Sequence, residues 1–154
     1  MQASKGHMTT TRSSADGPSQ WELHPQLAAD TVPVGDLALS RLLVNRDANY
    51  PWLVLVPRRA GMTEIVDLEP ADRRQLFDEI TLVGRVLRAV TACDKLNIAA
   101  IGNVVSQLHV HIVARRRTDA SWPRPVWGAV PPLSHDAEEV QRFISELRRK
   151  IWLG

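Results

Sequence analysis

Ser106-Gln-Leu-His-Val-His-Ile-Val-Ala-Arg115 (SQLHVHIVAR) is the stretch whose reading decides the fold. Its side chains alternate with period two, the signature of a strand. Leu108, Val110, Ile112 and Ala114 fall on one uniformly apolar face, which is the core side. Gln107, His109, His111 and Val113 share the other face, expected to point away from the core. Two imidazoles then stand side by side on a rigid element. The chain holds only five histidines, so a pair on one strand face beside Gln and Arg points to function.

Working outward, Lys95–Asn103 (KLNIAAIGN), Leu37–Asn45 (LALSRLLVN) and Trp52–Val56 (WLVLV) read as further strands. Pro51 and Pro57 bound the last of these, and Tyr50-Pro51 suits the connection of a hairpin with the strand before it. From Pro70 to Cys93 the pattern is helical, with Pro70 at the first position and Asp72 in the first turn. At 100° per residue, Leu76, Phe77, Ile80, Val83, Leu87 and Val90 make one face, expected against the sheet. Leu82, Val86, Ala89 and Cys93 form a second stripe, which either lies under the C-terminal helix or, as preferred here, makes a subunit interface. A proline-rich loop, SWPRPVWGAVPP, leads to a final helix over about 136–152, with Asp136 and Glu139 spaced as a capping box. Strands in the middle and helices at separated points argue for an α+β fold with an antiparallel sheet.

The Ser/Thr/Gly-rich residues 1–20 are expected to be a disordered tail, and 21–154 a single domain. A length of 154 residues suffices for one hydrophobic core, and 44% apolar against 23% charged residues is ordinary globular usage. No apolar run approaches the roughly 18 residues of a spanning helix, and no basic-then-apolar leader opens the chain. A cytoplasmic location is therefore expected. One cysteine, Cys93, makes no internal disulfide and no zinc cluster. A net charge of +2 is too balanced to suggest nucleic-acid binding. The local pattern says more, because Arg115, Arg116 and Arg117 follow the histidines directly and Arg124 lies close behind.

Two chemistries suit the His109/His111 pair. An i, i+2 pair on a strand can chelate zinc, but a third ligand is needed, and only His24, His135 or carboxylates could supply it. Alternatively, a neutral imidazole attacks phosphorus well when its other nitrogen is tied to an acceptor. The second histidine then meets the phosphoryl oxygens or the leaving group. That reaction needs no metal or cofactor and favours a basic rim, for which Arg115 is the nearest candidate, while Trp127 could border the pocket. No glycine-rich phosphate loop and no nucleophile elbow around Ser106 are present.

Gly102-Asn103-Val-Val-Ser-Gln107-Leu-His109-Val-His111-Ile-Val-Ala-Arg115 resembles the signature of the histidine triad (HIT) superfamily of nucleotide-binding proteins. Upstream, Leu42-Leu-Val-Asn45-Arg, Pro51 and Leu53-Val-Leu-Val-Pro57-Arg-Arg resemble that family's first hairpin. Asp67-Leu68 before the Pro70 helix and Trp122-Pro123 in the later loop keep its order. The resemblance covers about 36–128. It implies a five-stranded antiparallel sheet with two main helices, a homodimer, and cleavage of a phosphoanhydride or phosphoramidate bond through a nucleotidyl-histidine. It casts His109 as the nucleophile, His111 as a phosphate contact, Asn45 at the ribose, and Asn97 and Asn103 near phosphate or nucleoside. The departures are Gln107 in place of the first triad histidine, Asn103 where glutamine is usual, and Trp52-Leu53 where many members carry Gly-His. Gln107 has a donor and an acceptor and so is expected to hydrogen-bond much as imidazole does, without taking up a proton.

Overall fold

The computed structural model describes residues 20–153, so the expectation for the tail falls outside the described residues except at Gln20. The elements run α1 (Pro25–Asp30), β1 (Thr31–Asp36), β2 (Ser40–Asn45), β3 (Trp52–Pro57), α2 (Pro70–Thr91), β4 (Lys95–Ala99), β5 (Val110–Arg115) and α3 (Ala137–Trp152). The strands form one sheet in the order β1-β2-β3-β5-β4, antiparallel at each neighbour. None of the described helices is long and apolar enough to cross a membrane.

The α1 and β1 elements were not legible in the sequence. Pro33 interrupts the apolar alternation of β1 but is tolerated because the strand lies at the sheet edge, where a missing N–H breaks no inner ladder. The register slips between Pro33 and Gly35. A Cβ at Gly35 would come within 2.9 Å of the Trp152 ring, so a larger residue here would push that ring aside.

Three expected strand boundaries are corrected. β2 starts at Ser40 rather than Leu37, because the intervening residues make the β1–β2 turn: Leu37 N–H donates to the Ser40 carbonyl at 2.8 Å. Glu79 of α2 holds that turn from the core side, accepting from the N–H of Leu39 at 2.7 Å and of Ser40 at 3.0 Å. β5 starts at Val110 rather than Ser106, since Leu108 N–H turns away to the Met62 carbonyl at 3.0 Å. β4 accordingly stops at Ala99 opposite His111, and the chain reverses through Gly102 at φ +61°.

The sheet is covered on both faces. On one, Leu42, Leu53, Leu55, Leu108, Val110, Ile112 and Ala114 meet Leu76, Ile80, Val83 and Leu87 of α2 and Val140, Ile144 and Leu147 of α3. Each buried Leu, Ile or Val among them contributes about 1.5–3 kcal/mol. Phe77, assigned to this face, is instead 57% exposed, lying one position round from the buried row. The second stripe divides. Val86 and Cys93 join the core shared with α3, while Leu82 and Ala89 stay exposed.

The opposite sheet face carries a second cluster of Leu27, Leu43, Tyr50, Trp52, Val54, Val56, Val105, Val113 and Val126. The histidine face was expected to point away from the core; it points into this cluster, and His109 and His111 are both buried.

Candidate active site

A cavity of about 510 Å³ opens in the second face, bordered by Asn45, Trp52, Asn103, His109, His111 and Trp127 and closed on one side by α1. The strands decide which side chains meet there. Val54 of β3 lies opposite His111 and Trp52 opposite Val113, so Trp52 is the same-face neighbour of the histidine across the ladder.

The two imidazoles carry their protons on opposite nitrogens. His109 Nδ1 lies 2.6 Å from the backbone carbonyl of Gln107. A carbonyl only accepts, so Nδ1 bears the proton and Nε2 keeps a lone pair. His111 Nδ1 accepts the indole N–H of Trp52 at 2.9 Å, so its proton sits on Nε2. The rings are 4.9 Å apart at 75°. Burial, and secondly the neighbouring His109, pull His111 down to a pKa of about 4. His111 is therefore neutral at physiological pH and presents a lone pair to Trp52 and an N–H at Nε2.

Of the other residues singled out from sequence, Asn45, Asn103 and Trp127 border the cavity. Asn45 uses its Oδ1 to accept from the Asp47 N–H at 2.8 Å, which leaves its amide N–H groups for a ligand. Gln107 does not border it, and both ends of its carboxamide are engaged elsewhere. Nε2 donates to the Glu22 carbonyl at 2.8 Å and Oε1 accepts from the His24 N–H at 2.9 Å. It ties the segment before α1 to the histidine strand.

Arg115 and Asn97 do not border the cavity. Arg115 is 1% exposed and far from a rim group: its guanidinium reaches Asp119 at 2.7 Å and 3.1 Å, Asn97 Oδ1 at 2.8 Å, Ser121 at 3.3 Å and the Arg124 carbonyl at 2.9 Å. The rings of Tyr50 and Trp122 flank it. Its donors are consumed in organising the loop after β5, and Asn97 serves it as an acceptor.

Trp52 lines the cavity and contacts His111, and sequence reasoning passed over it as a site residue. Its signal was available, since an indole N–H inside a central strand needs a partner, and His111 is the polar group on the same face. For the metal alternative, no three His, Cys, Asp or Glu residues are gathered among the described residues. His24 Nδ1 accepts from the Gln26 N–H, and His135 Nε2 lies 3.1 Å from the Asn45 carbonyl.

Residues 26–118 match the model of the HIT domain. A histidine triad protein from Bradyrhizobium japonicum of known structure is 62% identical over 86% of this chain and 99% of its own, with a TM-score of 0.85. Another from Sinorhizobium meliloti 1021 is 39% identical over 87% and 99%, with a TM-score of 0.84. The bis(5'-nucleosyl)-tetraphosphatase [asymmetrical] of Schizosaccharomyces pombe is 30% identical over 106 residues, 62% of this chain. The match spans 58% of that relative's length.

Proposed function

The chain belongs to the HIT domain family, and from that premise we propose that it is a nucleotide hydrolase or nucleotidyl transferase working through a nucleotidyl-histidine at His109. The observation that carries the reading is the 2.6 Å contact of His109 Nδ1 with the Gln107 carbonyl, which leaves Nε2 as the nucleophilic nitrogen beside the cavity. In the first half-reaction the Nε2 lone pair attacks phosphorus. The P–O bond to the leaving group breaks and its electron pair departs on that oxygen. The positive charge that develops on the imidazole is stabilised through Nδ1–H by the Gln107 carbonyl. Water then attacks phosphorus, the P–N bond breaks, its pair returns to Nε2, and the water's proton goes to solvent. His111, as an Nε2–H donor, meets a phosphoryl oxygen where charge grows.

Asn45 suits the ribose, Asn103 the phosphate or nucleoside, and Trp127 a wall for the base. A second hollow of about 500 Å³ shares Asp30, Asn45 and Trp52 with the cavity and is suited to a bulky leaving group. That favours dinucleoside polyphosphates or adenylylated compounds as substrates. Gln107 takes the place of the first triad histidine in sequence, and its part in this reading is to hold the cavity wall. We also propose a homodimer, with exposed Leu82 and Ala89 among its contacts; a monomer by light scattering would overturn that.

A second reading, a module that holds nucleotide without turnover, is favoured by one fact: Gln107 cannot exchange a proton. Intact-mass analysis after rapid quenching with dinucleoside polyphosphate separates the two. The hydrolase reading expects a nucleotide adduct in the wild type, insensitive to chelator and lost in His109→Ala. Tight mononucleotide binding with neither adduct nor turnover would establish the binding module.

A further inference from the structure

Resting on the reading of the cavity as a nucleotidyl-transfer site, we propose that Trp52 is a positioning residue, whose indole N–H fixes His111 as the Nε2–H tautomer. Three observations converge on it. The indole N–H to Nδ1 distance is 2.9 Å, and an indole can only donate, so Nδ1 cannot hold a proton while the contact persists. The Trp52 and His111 rings meet edge to face at 5.5 Å and 63°, and Trp127 flanks the imidazole at 5.3 Å and 75°, so the ring is held by aromatic walls. Finally, the titratable groups around His111 among the described residues are few: His109 just before its strand and Asp30 of α1 at the cavity edge, while β3 and β4 set Val54 and Ala99 opposite it.

The chemical consequence is a division of labour. His109 is held by a backbone acceptor with its lone pair on Nε2, and His111 by a side-chain donor with its proton on Nε2. In the other tautomer His111 would turn a lone pair toward a phosphoryl oxygen and repel it. A cation at Nδ1 would confront the indole N–H with another N–H, so the same contact also keeps the ring neutral.

The test replaces the N–H in two ways: Trp52→Phe, and site-specific incorporation of benzothienylalanine, which keeps the bicyclic wall but has sulfur where the N–H was. Imidazole ¹⁵N NMR between pH 5 and 8 reads the tautomer without any substrate. In the wild type His111 is expected protonated on Nε2 and bare on Nδ1. In both variants Nδ1 gains a measurable share of the proton and the ring titrates at higher pH. Turnover of a dinucleoside tetraphosphate falls about fivefold, the effect of one ordinary hydrogen bond, with KM little changed. A proton on Nδ1 in the wild type, or an unchanged tautomer and titration in the folded benzothienyl variant, overturns the proposal. Tautomer shifts as expected in both variants, beside a wild type that turns over no nucleotide, would instead refute the hydrolase reading and leave the lock on His111 standing.

Discussion

Replacing Gln107 by histidine distinguishes two roles for position 107, which the proposed reading takes as the first triad position. If Gln107 is a weakened stand-in for a catalytic imidazole, Gln107→His restores the triad and kcat rises. The geometry argues the reverse. The carboxamide donates to the Glu22 carbonyl at 2.8 Å and accepts from the His24 N–H at 2.9 Å, gripping two nearby backbone groups with atoms borne on one carbon. The nitrogens of a neutral imidazole diverge from the ring, so histidine keeps one of these bonds at most. Losing one half-exposed hydrogen bond costs about 1 kcal/mol, a factor of about five. The segment released leads into α1, whose Gln26, Leu27 and Asp30 border the cavity, so the loss falls on binding. The expected result with a dinucleoside tetraphosphate is a KM about fivefold higher, a kcat little changed, and a protein about 1 kcal/mol less stable in urea. A raised kcat at unchanged KM would refute the latch and return Gln107 to the chemistry.

Three further outcomes follow from buried polar groups. His111 sits near pKa 4 in the folded protein against about 6.5 unfolded, so the unfolded chain binds the extra proton first. Stability therefore falls as pH drops from 6.5 toward 4, by about 3 kcal/mol over the window; urea unfolding at pH 7 and 5 should show a shallower fall in His111→Gln, and equal slopes would count against this. Glu79→Ala leaves the buried N–H groups of Leu39 and Ser40 without their acceptor and should cost about 3 kcal/mol, read as a shift in denaturation midpoint; a loss under about 1 kcal/mol would mean the turn holds itself. Arg115→Ala takes the guanidinium from Asp119, whose side chain is 7% exposed and keeps only the N–H groups of Arg116 and Ser121, and should destabilise by about 3 kcal/mol, while KM of the folded fraction stays near wild type. A large KM rise at intact stability would put Arg115 back at the phosphate.

The histidine strand, its apolar face and both main helices were legible because each repeats an unbroken period: two for Leu108, Val110, Ile112 and Ala114, about 3.6 for Leu76, Ile80, Val83 and Leu87. What was illegible depended on partners distant in sequence. β1 is broken by Pro33 and Gly35, which only an edge position and the approach of Trp152 explain. The burial of the histidine face depended on α1 and on Val126 and Trp127 folding back from either side. Arg115 looked like a rim group because three arginines in a row suggest a solvated edge. Its acceptors, Asn97, Asp119 and the Arg124 carbonyl, come from two separate segments whose convergence no local pattern reveals.

On the proposed reading, a glutamine at position 107 is compatible with a nucleophilic His109 for a reason that concerns the backbone. The acceptor that sets the tautomer of His109 is the carbonyl of residue 107, which every amino acid supplies. The chain leaves the β5 ladder before Val110, and that departure frees the carbonyl to turn to the imidazole two residues on. Side-chain identity at 107 is thus uncoupled from the tautomer of His109 and available for another task, here the fastening of the segment before α1. Position 111 has no such freedom, because its tautomer is set from outside by a side chain, Trp52. On this argument, replacing residue 107 should leave the protonation pattern of His109 intact while altering affinity. Replacing Trp52 should alter the protonation pattern of His111 first and affinity only secondarily. An imidazole ¹⁵N spectrum of Gln107→Ala in which the His109 proton had moved to Nε2 would break that separation.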